Sequence, residues 1–413
     1  MRKCRVGGPG GPMPGRASRR GWPAVSRGSL RLAVVVVMAV LAAASPGEVL
    51  ARQDGGRFEE VARKGIGEVY NLQFEQAEKT FTELTAMRPH DPAGPFFLAM
   101  ITWWRILIDI DNTRYDDEFF GSLDRVVDMC DSLLDRNPGD VNAIFFKGGA
   151  IGFIGRLKFH RNDYLAAANA GRKALPLVQA AAELDPENTD IQLGTGMYDY
   201  YAEVIPEEYP WLKPLLLFVP RGDRQRGLRE ITAASEKGRY ASVEAAFFLM
   251  QIYFYYEKDY GKALAIAENL FARFPDNMLF HRYVGRCLSS LADWNGTRTA
   301  FEEIVRRASA GRRGYTRNVA RAAEYYLGVS LMGARDYDGA LRHLLRCDEL
   351  SRTLDTQEAS GFMIMANLKI GNVYDILGKR ELALEQYRKV LGMKEFKDSH
   401  TQAEQYLKTP ALY

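Results

Sequence analysis

The side chains able to do acid–base, nucleophilic or metal chemistry are scattered through this 413-residue chain rather than gathered into motifs. Its five histidines, His90, His160, His281, His343 and His400, have no metal-ligand spacing. No His-Glu-x-x-His, paired Cys-x-x-Cys, phosphate-loop or Gly-x-Ser-x-Gly pattern occurs. Gly194-Thr195-Gly196 has the glycines of a phosphate cradle but not the strand that must precede one. Asp116-Asp117-Glu118 and Glu207-Glu208 read as solvated faces or helix starts, where the helix dipole favours acids. Two remote carboxylates that hydrolyse a glycoside leave no local signature, so an α-helical carbohydrate-binding protein or hydrolase stays as an alternative. The expectation is a protein that is not an enzyme, with no catalytic residue, metal or cofactor.

The elements that would position any site are helices. Apolar residues recur at helical spacing, and no stretch alternates with period two. Four breaks share one design: Arg88-Pro89-His90-Asp91, Asn137-Pro138-Gly139-Asp140, Asp185-Pro186-Glu187-Asn188 and Phe274-Pro275-Asp276-Asn277. Proline stops one helix and Asp or Asn caps the next. Recurrence at tens of residues signals stacked helical hairpins.

The C-terminal half adds a finer pattern: Phe247, Phe254, Tyr260, Ala263 and Pro275; Gly285, Trp294 and Phe301; Leu327, Gly328, Tyr337 and Ala340; Gly371, Tyr374, Gly378, Ala383 and Tyr387. Gly65, Phe74, Ala77, Phe81 and Pro89 form a similar set near the start. These sets resemble the tetratricopeptide repeat. The resemblance implies an all-α fold, an α–α superhelix or solenoid of stacked hairpins, with a glycine where two helices meet and an aromatic filling the hairpin. The small-residue place is taken by Ala263, Thr297, Ala340 and Ala383. In the middle, Pro206 and LKPLLLFVPRGDRQRGL are similar to a segment of the TTC39/Iml2 group of tetratricopeptide proteins, though Pro220-Arg221 departs from its pattern. Read without the family, Gly222 permits a tight turn. Asp223 is placed to cap the helix beginning RQRGLREI. Arg224 is placed to pair with Glu203 or Glu207. Together they read as a structural lock.

The tetratricopeptide resemblance also implies a concave face lined by the first helix of each pair. Projecting the family's groove positions gives Phe248, Ile252, Tyr255 and Tyr256, then Arg282 and Arg286, then Tyr325, then Leu368 and Asn372. Aromatics beside arginines suit protein interfaces, and Arg forks onto carboxylates. The carboxylate clamp of the chaperone-binding members is incomplete, because Leu368 stands where they have Lys. The alternative for Phe248, Ile252 and Tyr325 is inter-repeat core.

The start of the chain sets the compartment. Arg16, Arg19, Arg20, Arg27 and Arg31 precede an apolar run from Leu32 to Ala44, then Ser45-Pro46-Gly47 and Val49-Leu50-Ala51. A basic start, a short apolar stretch and small residues describe a signal peptide cleaved near Ala51, the alternative being an uncleaved anchor. Residues 1–51 hold eight of the 55 basic and one of the 52 acidic side chains, so residues 52–413 carry 47 against 51, a net charge of −4. A mildly acidic chain has no global attraction for nucleic acid. Cys130, Cys287 and Cys347 lie far apart on apolar stretches and read as buried free thiols, the alternative being one disulfide pair in an oxidising compartment. The chain is thus expected to hold a signal peptide (1–51), long N-terminal hairpins (52–220), a C-terminal repeat array (221–397) and a tail (398–413). The expected role is a periplasmic or secreted scaffold binding a protein or peptide of the cell envelope. A lipid or hydrophobic-ligand carrier is a further alternative, and the apolar residues 211–220 are a candidate membrane contact.

Overall fold

The computed structural model describes residues 46–211, 213 and 220–411, with side-chain surroundings from Gly55 onward. The expected leader up to residue 45 and most of the candidate membrane contact at 211–220 lie outside the described residues. Ala51 falls within the first helix. From Phe58 onward the chain forms one compact unit, and the packing that follows concerns that unit.

Seventeen helices are present among the described residues: α1 (Pro46–Tyr70), α2 (Phe74–Met87), α3 (Ala93–Ile108), α4 (Asp116–Leu134), α5 (Val141–His160), α6 (Tyr164–Leu184), α7 (Thr189–Glu208), α8 (Arg224–Lys237), α9 (Ser242–Tyr255), α10 (Tyr260–Arg273), α11 (Met278–Ser290), α12 (Trp294–Ser309), α13 (Arg317–Gly333), α14 (Tyr337–Leu354), α15 (Gly361–Ile376), α16 (Arg380–Leu391) and α17 (Ser399–Lys408). Consecutive helices pack on one another from α2 to α17. The fold is an all-α solenoid of stacked tetratricopeptide-like hairpins. No helix among the described residues is long and apolar enough to cross a membrane.

Two turn chemistries build the stack. Within six hairpins one residue turns left-handed: Leu72 (φ 59°), Asn162 (62°), Lys258 (55°), Ala292 (57°), Arg335 (63°) and Gly378 (71°). The next residue is the cap of the second helix, and in four hairpins it is Asp163, Asp259, Asp293 or Asp336, whose carboxylate accepts an amide of the first turn. The amides of Gln73, Asp163, Asp293, Asp336 and Lys379 bond back to the carbonyls of Glu68, Lys158, Leu288, Leu331 and Tyr374 at 2.8–3.0 Å. That is how a helix closes on a left-handed residue. Between hairpins the proline turns do the work. Asp91, Asp140, Asn188 and Asn277 accept first-turn amides of α3, α5, α7 and α11 at 2.9–3.1 Å, as the spacing of the breaks predicts.

Inside four hairpins a glycine meets a large side chain sixteen positions later. A Cβ at Gly285 would lie 2.7 Å from the Phe301 ring, one at Gly328 2.5 Å from Leu344, and one at Gly371 2.5 Å from the Tyr387 ring. Gly65 and Phe81 repeat the arrangement. The α9–α10 hairpin exchanges the sizes, with Gln251 in the glycine place and Ala267 opposite.

The two sides of residue 220 share one core. The Tyr70 ring lies 4.9 Å from Trp104, 5.5 Å from Phe274 and 6.5 Å from Phe280, and Trp104 lies 5.5 Å from Phe247. The Asn277 amide donates to the Tyr70 carbonyl at 2.8 Å, and Arg313 donates to the Leu72 carbonyl at 3.1 Å. One apolar cluster therefore runs from Phe58 to Leu327. Residues 398–413, expected as a tail, contain α17, whose Ala403 packs with Ile364, Leu368 and Tyr387. Cys130, Cys287 and Cys347 are buried free thiols. Burial pushes each up to about 12, out of the reactive range.

Candidate functional site

Residues separated by three or four positions share one face of a helix, and on α9 one such face carries Glu244, Phe248, Gln251 and Tyr255. The first three face the interior. Arg156 of α5 pairs with Glu244 at 2.8 Å and lies 4.0 Å from the Phe248 ring centre and 4.7 Å from that of Trp103. Tyr70 donates to the same carboxylate at 3.1 Å. Beside this pair the Gln251 amide donates to the Tyr283 hydroxyl at 3.3 Å, and Tyr283 donates to the Tyr255 hydroxyl at 3.2 Å. Arg286 of α11 donates to the same Tyr255 oxygen at 2.9 Å. Its guanidinium stands 4.4 Å from the Phe254 ring centre, 5.1 Å from Tyr283 and 5.3 Å from Tyr255. Arg282, one turn earlier on α11, is half-buried beside it. A polar spine thus leads from the buried Arg156–Glu244 pair to Tyr255, which is 40% exposed.

Charge is balanced at one end of this spine and not at the other. Burial pushes the Arg282 guanidinium down, with Arg286 adding like-charge repulsion. Burial works against ionisation of the Tyr255 phenol, but Arg286, the Tyr283 hydrogen bond and Arg282 together outweigh it and hold the phenol below its ordinary range. The Tyr283 phenol, enclosed beside it, is pushed up by burial and by Tyr255.

Of the residues projected onto a groove, the structure brings Tyr255, Arg282 and Arg286 together. Tyr325 is half-buried on α13, its ring 5.7 Å from Phe362. Phe248 and Ile252 are buried, a correction to their placement on an open face. Arg156 covers Phe248, and Ile252 packs with Tyr200, Ile231 and Leu249 under α7 and α8. Tyr256 is half-buried against Tyr201, 5.7 Å between ring centres. Leu368 and Asn372 are also core residues: Leu368 lies in the α15–α17 cluster, and Asn372 donates to the Tyr387 hydroxyl at 3.2 Å. The last hairpin is closed where the projection had it open. Gln251, Tyr283 and Arg156 were not singled out from the sequence. Gln251 carried a signal, since it sits where the other repeats place glycine. Arg156 carried none, because its partner Glu244 is 88 residues away.

The Gly222-Asp223-Arg224 turn is a junction, with two corrections. Asp223 caps α8, accepting the Arg226 amide at 2.8 Å, as expected. The Arg224 guanidinium forks onto Glu257 at 2.9 and 2.6 Å rather than onto Glu203 or Glu207, while its backbone amide donates to Glu203 at 3.0 Å. Tyr200 donates to the same Glu257 at 2.6 Å. Gly222 is required by space, not by backbone angle, because a Cβ would run into the Asp199 backbone. Gly194-Thr195-Gly196 likewise serves helix packing: a Cβ at Gly196 would lie 2.9 Å from the Gly227 carbonyl of α8.

No family model matches the chain, and no curated relative does. Solved structures with similar helical arrangements include a human IFIT1 dimer with m7Gppp-AAAA, at 12% identity over 85% of each chain with a TM-score of 0.41. Others are a tetratricopeptide repeat protein from Parabacteroides merdae, at 11% identity over 71% of this chain and 94% of that one with a TM-score of 0.38, and the APC/C hetero-tetramer Cut9–Hcn1, at 16% identity over 82% and 59% with a TM-score of 0.42.

Proposed function

We propose that this protein is an exported interaction scaffold that binds a segment of a cell-envelope protein along the inner faces of α9, α11 and α13, without catalysis. The observation that carries the reading is the Tyr255–Arg286–Arg282 group. An aromatic that is 40% exposed is held in place by an arginine and a second tyrosine, the residue types that anchor protein interfaces. The basic and apolar leader supports export. The likeness of LKPLLLFVPRGDRQRGL to the TTC39/Iml2 group supports a shared fold and carries no cellular role.

The test is affinity capture with the tagged full-length chain from envelope extract, beside the Tyr255→Ala/Arg286→Glu variant. The expected outcome is a stoichiometric protein partner that the variant loses while its far-UV circular dichroism stays unchanged. Equal capture by both proteins would sink the reading.

A further inference from the structure

Among the described residues neither Arg282 nor Arg286 forms a salt bridge, whereas several other interior cations do. Arg156 is matched by Glu244, Arg321 by Asp355, Arg380 by Asp375 and Lys389 by Asp348. The charged and titratable groups acting most strongly on Arg282 are Arg286, Tyr283, Tyr255 and Tyr326, and those on Arg286 are Tyr255, Tyr326 and Tyr283. Neither set contains a carboxylate. The Nε atoms of both arginines are enclosed and have no hydrogen-bond partner in the structure. Partly burying two like charges one turn apart is unfavourable unless something offsets it. Ring faces do so in part for Arg286.

The hydroxyl chain points the same way. Tyr255 oxygen accepts from both Tyr283 and Arg286. Its own proton is therefore left to donate outward, next to the two guanidiniums.

We infer that Arg282, Arg286 and the Tyr255 hydroxyl form a binding site for the side-chain carboxylates of an acidic partner segment. The inference rests on the scaffold reading and gives its partner a chemistry. Guanidiniums fork onto carboxylates, and an acid arriving here replaces solvation that both arginines have lost. A nucleic acid fits less well: its phosphates call for a track of cations, whereas this pair occupies one turn of one helix and residues 52–413 carry net negative charge.

The probe is a fluorescein-labelled hexaglutamate peptide with blocked ends, so that only side-chain carboxylates are offered. It is titrated into the full chain by fluorescence anisotropy, with inorganic phosphate and hexaadenylate RNA as competitors. The expected result is saturable binding that weakens at least tenfold in Arg282→Gln/Arg286→Gln and is unchanged in Arg306→Gln, a surface arginine paired with Glu303. Absence of saturable binding, binding that survives the double change, or tighter binding of the RNA at the same arginines would overturn the inference. A second variant guards against a folding defect. Arg282→Met removes an uncompensated cation, so it is expected to raise Tm by a few degrees while losing the peptide, and a lower Tm would make the arginine a structural residue and end the proposal. The two readings fail separately. A captured partner that hexaglutamate does not displace leaves the scaffold standing without this site. Hexaglutamate binding with no protein partner leaves the site without the scaffold.

Discussion

His281 stacks on Phe271 with ring centres 4.3 Å apart and meets the Tyr315 hydroxyl at 3.1 Å. Burial, with Arg307 nearby, lowers it to about 4. Between about pH 6.5 and 4 the unfolded chain therefore takes up a proton that the native protein refuses. Stability from this residue is complete above pH 6.5 and falls away as the pH drops towards 4, by about 3 kcal/mol at most. Urea unfolding at pH 7 and pH 4.5 should show a smaller acid loss for His281→Phe than for the parent chain, and equal losses would disprove the assignment. The Arg224–Glu257 fork is more open to solvent. Arg224→Leu should cost about 1 kcal/mol, mostly through the unpaired Glu257 it leaves behind, as read by the urea midpoint. The sequence announced Arg224 as a lock but misplaced its partner, because Glu203 and Glu207 are near in sequence while Glu257 lies just past the end of α9.

At the scale of the hairpin, glycine and ring are one fitted unit. Gly285→Val should destabilise by about 1–3 kcal/mol or more, because Phe301 is fully buried and has no room to yield. Thermal unfolding checks this, and an unchanged Tm would mean that the close approach is not required. The turn makes the opposite prediction. Ala292 holds φ 57° where the last repeat has Gly378, so Ala292→Gly should stabilise or be neutral, within about 1 kcal/mol. The hairpins from α11 to α16 were legible through Gly285 with Phe301, Gly328 with Ala340 and Gly371 with Tyr387, although Leu344, which Gly328 meets, was not singled out. The α9–α10 hairpin was only half legible, since Gln251 and Ala267 exchange sizes. The α5–α6 turn went unread, although Asn162-Asp163-Tyr164 matches the Asp-aromatic pattern of the later turns. What periodicity does not show is which inner faces other elements cover. Phe248 and Ile252 sit at groove positions of their own repeat, and α5, α7 and α8 close over them.

At the scale of the molecule, Tyr70, Trp104, Phe247 and Phe280 tie the first hairpins to the C-terminal array. The fold from Phe58 onward should therefore unfold as one. Trp104→Ala should cost about 3–5 kcal/mol and shift a single denaturation transition seen alike by circular dichroism and tryptophan fluorescence. Two separated transitions would show that the sides of residue 220 are independent. On the scaffold reading, the partner docks on the stretch of α9 and α11 that carries Tyr255, Arg282 and Arg286. The most direct measurement is photo-crosslinking in intact cells, with a photoreactive side chain at Tyr325 in one strain and at the exposed Glu302 of α12 in another. The account predicts one discrete protein adduct from position 325 and none from 302. An adduct from 302 alone, or none from either, would contradict it.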